Sequence, residues 1–449
     1  MTDSGADRGR EHVTTTIERT IERPAAAATA AARPREFAAS RSTVAILLLI
    51  IPLSQIGLDV YTPALPQMAA EFSASNDFVQ NTVTAYLLGM SVAFIPVGLI
   101  ADALGRRRVL LAGLGLLVAM SIGCALAPNL TVLLGMRFAQ GIGASACLLL
   151  AATIAADCFR GAKLVSVLGL CGAAWGAAPV LAPAVGGFVV QFGSWRLVFA
   201  LFATLAASVA VLVAKALPET LREDLRSPVD LRAAVRVLCG ALRHRVFMGF
   251  VLMFGLIGAA QMTFGVVGPF LYESKLGFSP AAYGLIALVV GVANLTGELT
   301  CGGLAQRLTT RRLALSAWAV FFAGALTLVV SAEVFGVNAW AITIATVLAL
   351  LGCGVLDPQS KGLAMGVFTR SIGLIAGLVN TCCYLVVTIA MALVAYLPEE
   401  SQAPLGWLDV GAGVLFVALL LTTVRSGVIR TASTTRSDQP PTTHGQCEL

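Results

Sequence analysis

The chain has 449 residues, of which 57% are hydrophobic and only 12% are charged, and its mean hydropathy is +0.86. Soluble globular proteins average about 25% charged residues, so this composition excludes that class and indicates a membrane protein. The formal charge of +6 does not indicate nucleic-acid binding, because no basic face interleaved with aromatic residues accompanies it.

Twelve apolar runs are long enough to cross a bilayer, which takes about 20 residues of helix. We number them helices 1 to 12 in chain order and predict an all-α membrane protein. The runs cover residues 44–66, 79–101, 109–127, 130–156, 164–190, 196–217, 246–272, 280–304, 313–332, 338–357, 368–397 and 405–424.

Lysine and arginine are distributed unequally between the two sides of these helices. With the N-terminus inside, all but three of the thirty fall in cytoplasmic tails, loops and helix edges. The exceptions are Arg196 and Lys275 in outer loops and Arg137 inside helix 4. Cytoplasmic loops carry the excess of positive residues, so both termini are predicted to be cytoplasmic, in a multi-pass protein of the inner (plasma) membrane.

A polar, basic segment after helix 6 divides the helices into two groups of six. We predict an N-terminal bundle over 43–217, a cytoplasmic linker over 218–245 and a C-terminal bundle over 246–427. Residues 1–42 and 428–449 are predicted to be disordered cytoplasmic tails, and the first lacks the apolar stretch of a cleaved signal.

A degenerate repeat supports the division into halves. The segment Gly98–Gly113 aligns with Gly302–Ala317, and each lies at the turn between the second and third helices of its half. Parallel six-helix repeats are a known transporter plan, in which the substrate site lies between the halves near the bilayer midplane.

Two charged residues lie deep within predicted helices. Asp59 is about 22 Å along helix 1 from its inner end and Arg137 about 10 Å along helix 4 from its outer end, so both fall in the outer half of a core about 30 Å thick. Burial disfavours an ionised carboxylate, whereas a nearby guanidinium favours it and itself keeps its proton. We therefore predict Asp59 as a proton site and Arg137 as its fixed modulator. The alternative is a structural acid that caps the bend before Pro63.

Four segments carry a family resemblance. They are GLIADALGRRR from Gly98, RFAQGIGA from Arg137, APVLAPAVGG from Ala178 and DVYTPALP from Asp59. The first three resemble the helix 2–3 loop, the fourth-helix motif and the fifth-helix antiporter motif of the major facilitator superfamily, although Ala182 stands where glycine usually precedes the proline. The fourth segment is similar to the DxYxPALP motif of bicyclomycin-resistance-like drug exporters, the Bcr/CflA branch.

The resemblance implies a monomeric drug:proton antiporter that exports small lipophilic compounds and uses the proton gradient, with no cofactor. A role in gating is predicted for Gly98, Asp102, Gly105, Arg106, Arg107 and Asp157. We expect the charged side chains among them to form a cluster when the halves close on the cytoplasmic side. The alternative is that the arginines only follow the inside-positive rule.

Helix 5 is rich in glycine and proline, which allow close helix contact and bending. Its motif residues Pro179, Pro183, Gly186 and Gly187 are predicted to form a rocking joint, or else to serve plain packing.

Substrate contacts are expected from aromatic and amide side chains, each of which is individually more typical of packing. The candidates are Tyr61, Gln80, Tyr86, Gln140, Gln261, Phe264, Asn294, Asn380 and Tyr384. Glu298 is predicted to pair with Arg311 or Arg312 at the inner edge, and neither it nor Asp357 and Lys361 is assigned a transport role.

Other classes of protein are disfavoured. The chain has no phosphate-binding GxxxxGK[ST] loop, its three histidines lie outside the predicted helices, and its cysteines lack zinc-ligand spacing. A facilitator or proton symporter for a small metabolite and a non-transporting receptor remain as alternatives.

Overall fold

The computed structural model describes residues 40–226, 231–368, 372–397 and 401–425. Residues 1–39 of the predicted N-terminal tail, the whole predicted C-terminal tail and residues 227–230 of the predicted linker lie outside these ranges. Within them, twelve helices are long and apolar enough to span a membrane, which confirms the predicted number. Helices 1 to 6 are Arg41–Glu71, Asn76–Leu104, Arg106–Ala125, Leu130–Cys158, Gly161–Phe192 and Trp195–Ala216. Helices 7 to 12 are Arg245–Lys275, Pro280–Arg307, Thr310–Phe335, Ala339–Met365, Ile372–Val394 and Ala403–Arg425.

Helix 1 is interrupted twice. Its segments are Arg41–Ile50 and Leu53–Asp59, a 3₁₀ turn over Thr62–Ala64, and Leu65–Glu71. A proline lies at each interruption, Pro52 and Pro63, and proline lacks the N–H that would continue the helical hydrogen bonding. The second break leaves the carbonyls before it without helical partners, immediately beside Asp59.

In its described residues, the linker between the halves contains a 3₁₀ turn over Glu223–Leu225 and the α-helix Leu231–Leu242, which packs against helices 7 and 11. We call the side of the molecule that carries this linker the inner side and the opposite side the outer side. The assignment of the inner side to the cytoplasm stays a prediction from the count of Lys and Arg.

The two halves meet along helices 5 and 8 and along helices 2 and 11. Towards the outer side, Gly187 of helix 5 faces the Pro280 carbonyl of helix 8 so closely that a Cβ would have no room. The contact continues inward to Gly176, which faces Glu298. One turn further inward on each of these helices, Gly172 and Gly302 are exposed and have open space around them. Helices 5 and 8 therefore pack together on the outer side and diverge towards the inner side.

The opposite face of helix 5 is a row of exposed apolar side chains. Leu181, Val185, Phe188 and Phe192 are 47–84% exposed and follow one another at spacings of three or four residues. In a spanning helix this row faces lipid, so the outer part of helix 5 presents Gly176, Gly186 and Gly187 to protein and its large apolar side chains to the bilayer.

Candidate functional site

Two adjoining lobes of a cavity lie between the two halves and share part of their lining. The outer lobe lies between helices 1, 5, 7 and 8 and has a cavity volume of about 70 Å³, and the inner lobe has a cavity volume of about 50 Å³. Gln55, Trp175, Gln261 and Met262 line both lobes. Most of the other lining side chains are apolar, so the few polar groups determine what the cavity can bind.

Asp59 lines the outer lobe at the end of the second segment of helix 1. Its side chain is buried, and its Oδ2 accepts a hydrogen bond of 2.8 Å from Nε2 of Gln55, one turn earlier. Its backbone carbonyl accepts a hydrogen bond of 2.9 Å from the Thr62 hydroxyl, which fixes the break in the helix. Asp59 is thus a buried carboxyl with one amide partner, facing the space between the halves.

Arg137 is fully buried in the N-terminal bundle, between two aromatic rings. Its guanidinium carbon lies 4.3 Å from the centre of the Tyr61 ring and 4.3 Å from that of Tyr86. It donates to the Gly57 carbonyl at 2.8 Å and to the Thr82 carbonyl at 3.3 Å. The Gly57 carbonyl is available because helix 1 breaks after Asp59. Arg137 therefore connects helices 1, 2 and 4 through backbone carbonyls and cation–π contacts.

Among the described residues, no ion pair joins Asp59 to Arg137. The two groups are close enough to interact electrostatically, but Tyr61 and Tyr86 cover the guanidinium, and Asp59 takes its hydrogen bond from Gln55. Nη2 of Arg137 has no hydrogen-bond partner in the described part of the chain. The arginine is thus a permanent positive charge behind the wall of the cavity and not part of its lining.

The remaining polar residues on this face of helix 4 also lie inside the bundle. Gln140 accepts from Arg137 Nη1 at 2.6 Å and donates to the Ser121 hydroxyl at 2.7 Å. It is fully buried and lines neither lobe. A contact of Gln140 with substrate, predicted from its amide side chain, is therefore not available in this conformation.

The candidate substrate contacts divide by half. Those of the C-terminal half line the cavity: Gln261, Phe264 and Asn294 the outer lobe, and Gln261, Asn380 and Tyr384 the inner lobe. Those of the N-terminal half do not: Tyr61, Gln80, Tyr86 and Gln140 are each at most 1% exposed and line neither lobe. The Tyr86 hydroxyl donates to the Ser54 carbonyl, and that of Tyr61 bonds Thr82, so both hydroxyls are satisfied within the bundle.

The prediction for Glu298 is wrong. Its carboxylate accepts from Asn294 at 2.8 Å, Asn294 accepts from Gln261 at 2.9 Å, and all three side chains line the outer lobe with Asp59. No ion pair with Arg311 or Arg312 occurs among the described residues. Helix length alone placed Glu298 at the inner edge, whereas in the structure its side chain faces Gly176 of helix 5 across the boundary between the halves. The outer lobe therefore has an acid from each half, and each of these two acids is bonded to an amide one turn earlier.

Asp357 and Lys361 line the inner lobe from helix 10, one turn apart. Lys361 Nζ lies 5.6 Å from the centre of the Phe254 ring. Among the described residues lining the two lobes, Asp59, Glu298 and Asp357 are the acids and Lys361 is the basic residue. With its acids ionised, the cavity has an excess of negative charge.

The predicted gating residues form a cluster at the inner ends of helices 2, 3 and 4. Arg106 forms ion pairs with Asp102 and, at 3.3 Å, with Asp157. Gly98, one turn before Asp102, packs near Leu149 of helix 4. All these contacts lie within the N-terminal half, and they are present while helices 5 and 8 diverge on the inner side. The proposed opening and closing of this cluster stays a prediction.

Glu219, just after helix 6, completes the cluster and was missed by sequence reasoning. Its carboxylate accepts from the backbone N–H groups of Arg106 at 2.9 Å and Arg107 at 3.3 Å, the first two residues of helix 3. A carboxylate there satisfies unpaired N–H groups and the positive end of the helix dipole. Gly105 makes this possible, because it has a φ of 101° and its missing side chain leaves the space that Glu219 occupies.

Asp409 of helix 12 was also missed. It is 6% exposed, and its Oδ1 has no hydrogen-bond partner within the described ranges. It lines neither lobe of the cavity. The signal was present in the sequence as an acid inside the last apolar run.

Twelve spanning helices in two halves, with a partly polar cavity between them, define a transporter of small molecules. The model of the Major Facilitator Superfamily matches residues 47–391, and the chain belongs to that superfamily. It is accordingly a multi-pass membrane protein, of the inner membrane in bacteria, and not an enzyme.

Several named relatives are similar to the chain. The "Uncharacterized MFS-type transporter YdgK" of Bacillus subtilis (strain 168) is 33% identical over 58% of this chain, and the match spans 66% of that protein, just under two thirds of its length. "Multidrug resistance protein MdtL" of Escherichia coli (strain SMS-3-5 / SECEC) is 29% identical over 73% of this chain and 83% of that protein.

Solved structures support the fold alone, because their sequence identities are low. A D-xylose-proton symporter superimposes with a TM-score of 0.66 at 16% identity, over 84% of this chain and 96% of that chain. The xylose transporter XylE from E. coli, in a partially occluded inward open conformation, gives a TM-score of 0.66 at 15% identity, over 85% and 97%.

Proposed function

We propose that this transporter exports small lipophilic compounds in exchange for protons, by alternating access across the inner (plasma) membrane. Asp59 is the group that takes up and releases the proton. The observation that carries this proposal is its position: a buried carboxyl without an ion-pair partner among the described residues, facing the cavity between the halves. An ionisable group at membrane depth that faces the protein interior indicates a functional site.

Arg137 sets the proton affinity of Asp59 from a fixed distance. Its guanidinium is held by the Gly57 and Thr82 carbonyls and enclosed by Tyr61 and Tyr86, so its charge stays in place when the cavity changes access. Burial disfavours the ionised form of Asp59, and Arg137 favours it. A small change in hydration of the cavity then shifts the balance between protonated and ionised acid.

The cavity suits an apolar compound with few polar groups. Phe264, Trp175 and Met262 contribute apolar surface, and the Gln261–Asn294–Glu298 chain supplies hydrogen-bonding groups on the opposite half from Asp59. The name of the relative MdtL, a multidrug resistance protein, agrees with this class of substrate. The proton gradient is the energy source, without a cofactor, and the monomer is the transporting unit.

The test is a comparison of wild type with Asp59→Asn in two assays. Cells lacking other exporters are grown against chemically diverse antibiotics and dyes, and purified protein in liposomes is given substrate while the internal pH is followed. Resistance and substrate-driven proton movement are both expected to be lost in Asp59→Asn. Proton-driven export that continues unchanged in this variant would overturn the assignment of Asp59.

A facilitator or proton symporter for a small metabolite is the second candidate. Four carboxamides, Gln55, Gln261, Asn294 and Asn380, line the cavity and are suited to hydroxyl groups of a polar substrate. The direction of coupling separates the candidates. An antiporter moves protons against the substrate flux, a symporter moves them with it, and a facilitator transports without a proton requirement.

A further inference from the structure

The linker helix Leu231–Leu242 has three distinct faces. Ala234 and Ala241 are buried, and with the partly buried Val237 and Leu238 they form the face that packs on the C-terminal half. The remaining surface of the helix has no role in the transport site, and its composition is not that of an ordinary solvent-exposed helix.

Two parallel stripes occupy this free surface. The apolar stripe consists of Leu231, Val235 and Leu242, which are 63%, 55% and 45% exposed. The basic stripe consists of Arg232 and Arg236 and of Arg243, the residue directly after the helix, all exposed. Each stripe has the spacing i, i+4, i+11, and one residue separates them in sequence, so they run side by side about 100° apart around the helix. An apolar stripe next to a basic stripe is the pattern of a helix that lies in a membrane interface.

The position of the linker helix places it at the level of the bilayer surface. It ends at Leu242, three residues before helix 7 begins at Arg245. His244 caps helix 7 by accepting from the Phe247 N–H at 3.2 Å, and both residues pack their rings on Phe368, just beyond helix 10. The linker helix is thus tied to the inner ends of membrane-spanning helices.

We propose that this helix is a docking site for the membrane surface, with the apolar stripe inserted among lipid chains and the three arginines bound to anionic phospholipid headgroups. Charge complementarity favours this occupant, because the planar guanidinium binds phosphate in a bidentate manner and each basic residue near an anionic bilayer adds to membrane affinity. The apolar stripe excludes a ligand that is only a free phosphate. The docked helix holds the inner end of the C-terminal half at the interface.

Cys239 provides a reporter between the two stripes, since it is exposed, whereas the other described cysteines are buried or half-buried. The full chain, with Cys447→Ser, is labelled at Cys239 with a polarity-sensitive fluorophore and placed in nanodiscs. One set contains phosphatidylcholine alone and the other also contains phosphatidylglycerol. A blue-shifted emission with phosphatidylglycerol, reversed in part by salt, is expected.

The matched variants remove equal charge from two places on the same inner side. Replacing Arg232, Arg236 and Arg243 by Gln is expected to lower docking on the anionic bilayer about a hundredfold, at about fivefold per arginine. Replacing the exposed Arg307, Arg311 and Arg312 by Gln is expected to leave docking unchanged. A Cys239 label that stays in water on anionic nanodiscs overturns the proposal, as does equal loss in both triple variants. If the Cys239 label is protected in native membranes but not in nanodiscs, a protein partner and not lipid covers this surface. That result also overturns the proposal.

Discussion

The carboxylate of Asp59 accepts its hydrogen bond from Gln55 and not from Arg137. From the sequence, Arg137 is the more obvious hydrogen-bond partner for Asp59, because it is a strong donor predicted at the same depth in the membrane. The structure instead directs Arg137 to the Gly57 and Thr82 carbonyls. This arrangement separates two roles that an ion pair would combine: Asp59 remains free to gain a proton, and Arg137 supplies a constant field.

Gln55→Ala is expected to change the pH dependence of transport without abolishing it. Gln55 donates to the ionised form of Asp59, so its loss makes deprotonation less favourable and moves the pH profile of efflux to higher pH. Efflux in liposomes measured at a series of internal pH values checks this. Asp59→Asn, in contrast, is expected to remove the proton dependence altogether. A Gln55→Ala profile identical to that of wild type would contradict the role of this hydrogen bond.

Arg137→Lys is expected to reduce stability strongly even though the charge is kept. Lysine lacks the planar guanidinium, with its several N–H donors, that lets Arg137 bond two carbonyls and Gln140 while it lies between two aromatic rings. The cost is expected to be about 3 kcal/mol, as for other broken networks around a buried charge. Thermal unfolding in detergent measures it. Lys215→Arg, at an exposed position of helix 6, is a control that is expected to unfold as wild type does. Unchanged unfolding of Arg137→Lys would show that only the charge matters.

Glu298→Gln is expected to separate cationic from neutral substrates. The amide oxygen of the introduced glutamine can still accept the hydrogen bond from Asn294, but the substitution removes one negative charge from the outer lobe. Efflux of permanently charged lipophilic cations is expected to fall about tenfold or more, since the charge of a partly desolvated carboxylate contributes about 1.5 kcal/mol or more to binding a cation. Neutral substrates are expected to be exported as before. Glu333→Gln, on an exposed position of helix 9, is the control. An equal loss for both kinds of substrate would instead place Glu298 in the coupling mechanism.

Sequence patterns predicted the number of helices, because a spanning segment needs a length of apolar residues that is visible without tertiary contacts. They also singled out Asp59 and Arg137, since charges inside apolar runs are rare. They did not predict the position of Glu298, because the distance along a helix does not give the tilt or the facing neighbour. Glu219 was missed for a related reason: its role depends on the positive φ of Gly105 and on a contact across 113 residues of sequence.

Glu219→Ala is expected to destabilise the inner cluster by about 1–2 kcal/mol, the usual effect of losing a helix cap. Helix 3 then loses the acceptor for the N–H groups of Arg106 and Arg107, and Arg106 keeps its ion pairs with Asp102 and Asp157. Hydrogen exchange at the start of helix 3 measures the loss. Asp102→Asn tests the gating prediction separately, by the ratio of inward-open to outward-open protein. If Asp102→Asn changes neither that ratio nor transport, the cluster has a structural role only.

Gly187→Ala is expected to prevent closure of the outer side. The Pro280 carbonyl occupies the space that the new methyl group would need, and helices 5 and 8 have no flexible side chain there that can move aside. Because overpacking costs about 1–3 kcal/mol, the equilibrium should shift towards a conformation in which these outer ends are apart. Cysteine accessibility from the outer side, measured at Phe264→Cys in the cavity, is expected to rise. Gly172→Ala on the same helix face is the control, since its surroundings are open in this conformation. If Gly187→Ala raises access from the outer side and Gly172→Ala does not, Gly187 is a point at which the rocking joint closes. Equal behaviour of the two variants would instead assign the glycines of helix 5 to general packing.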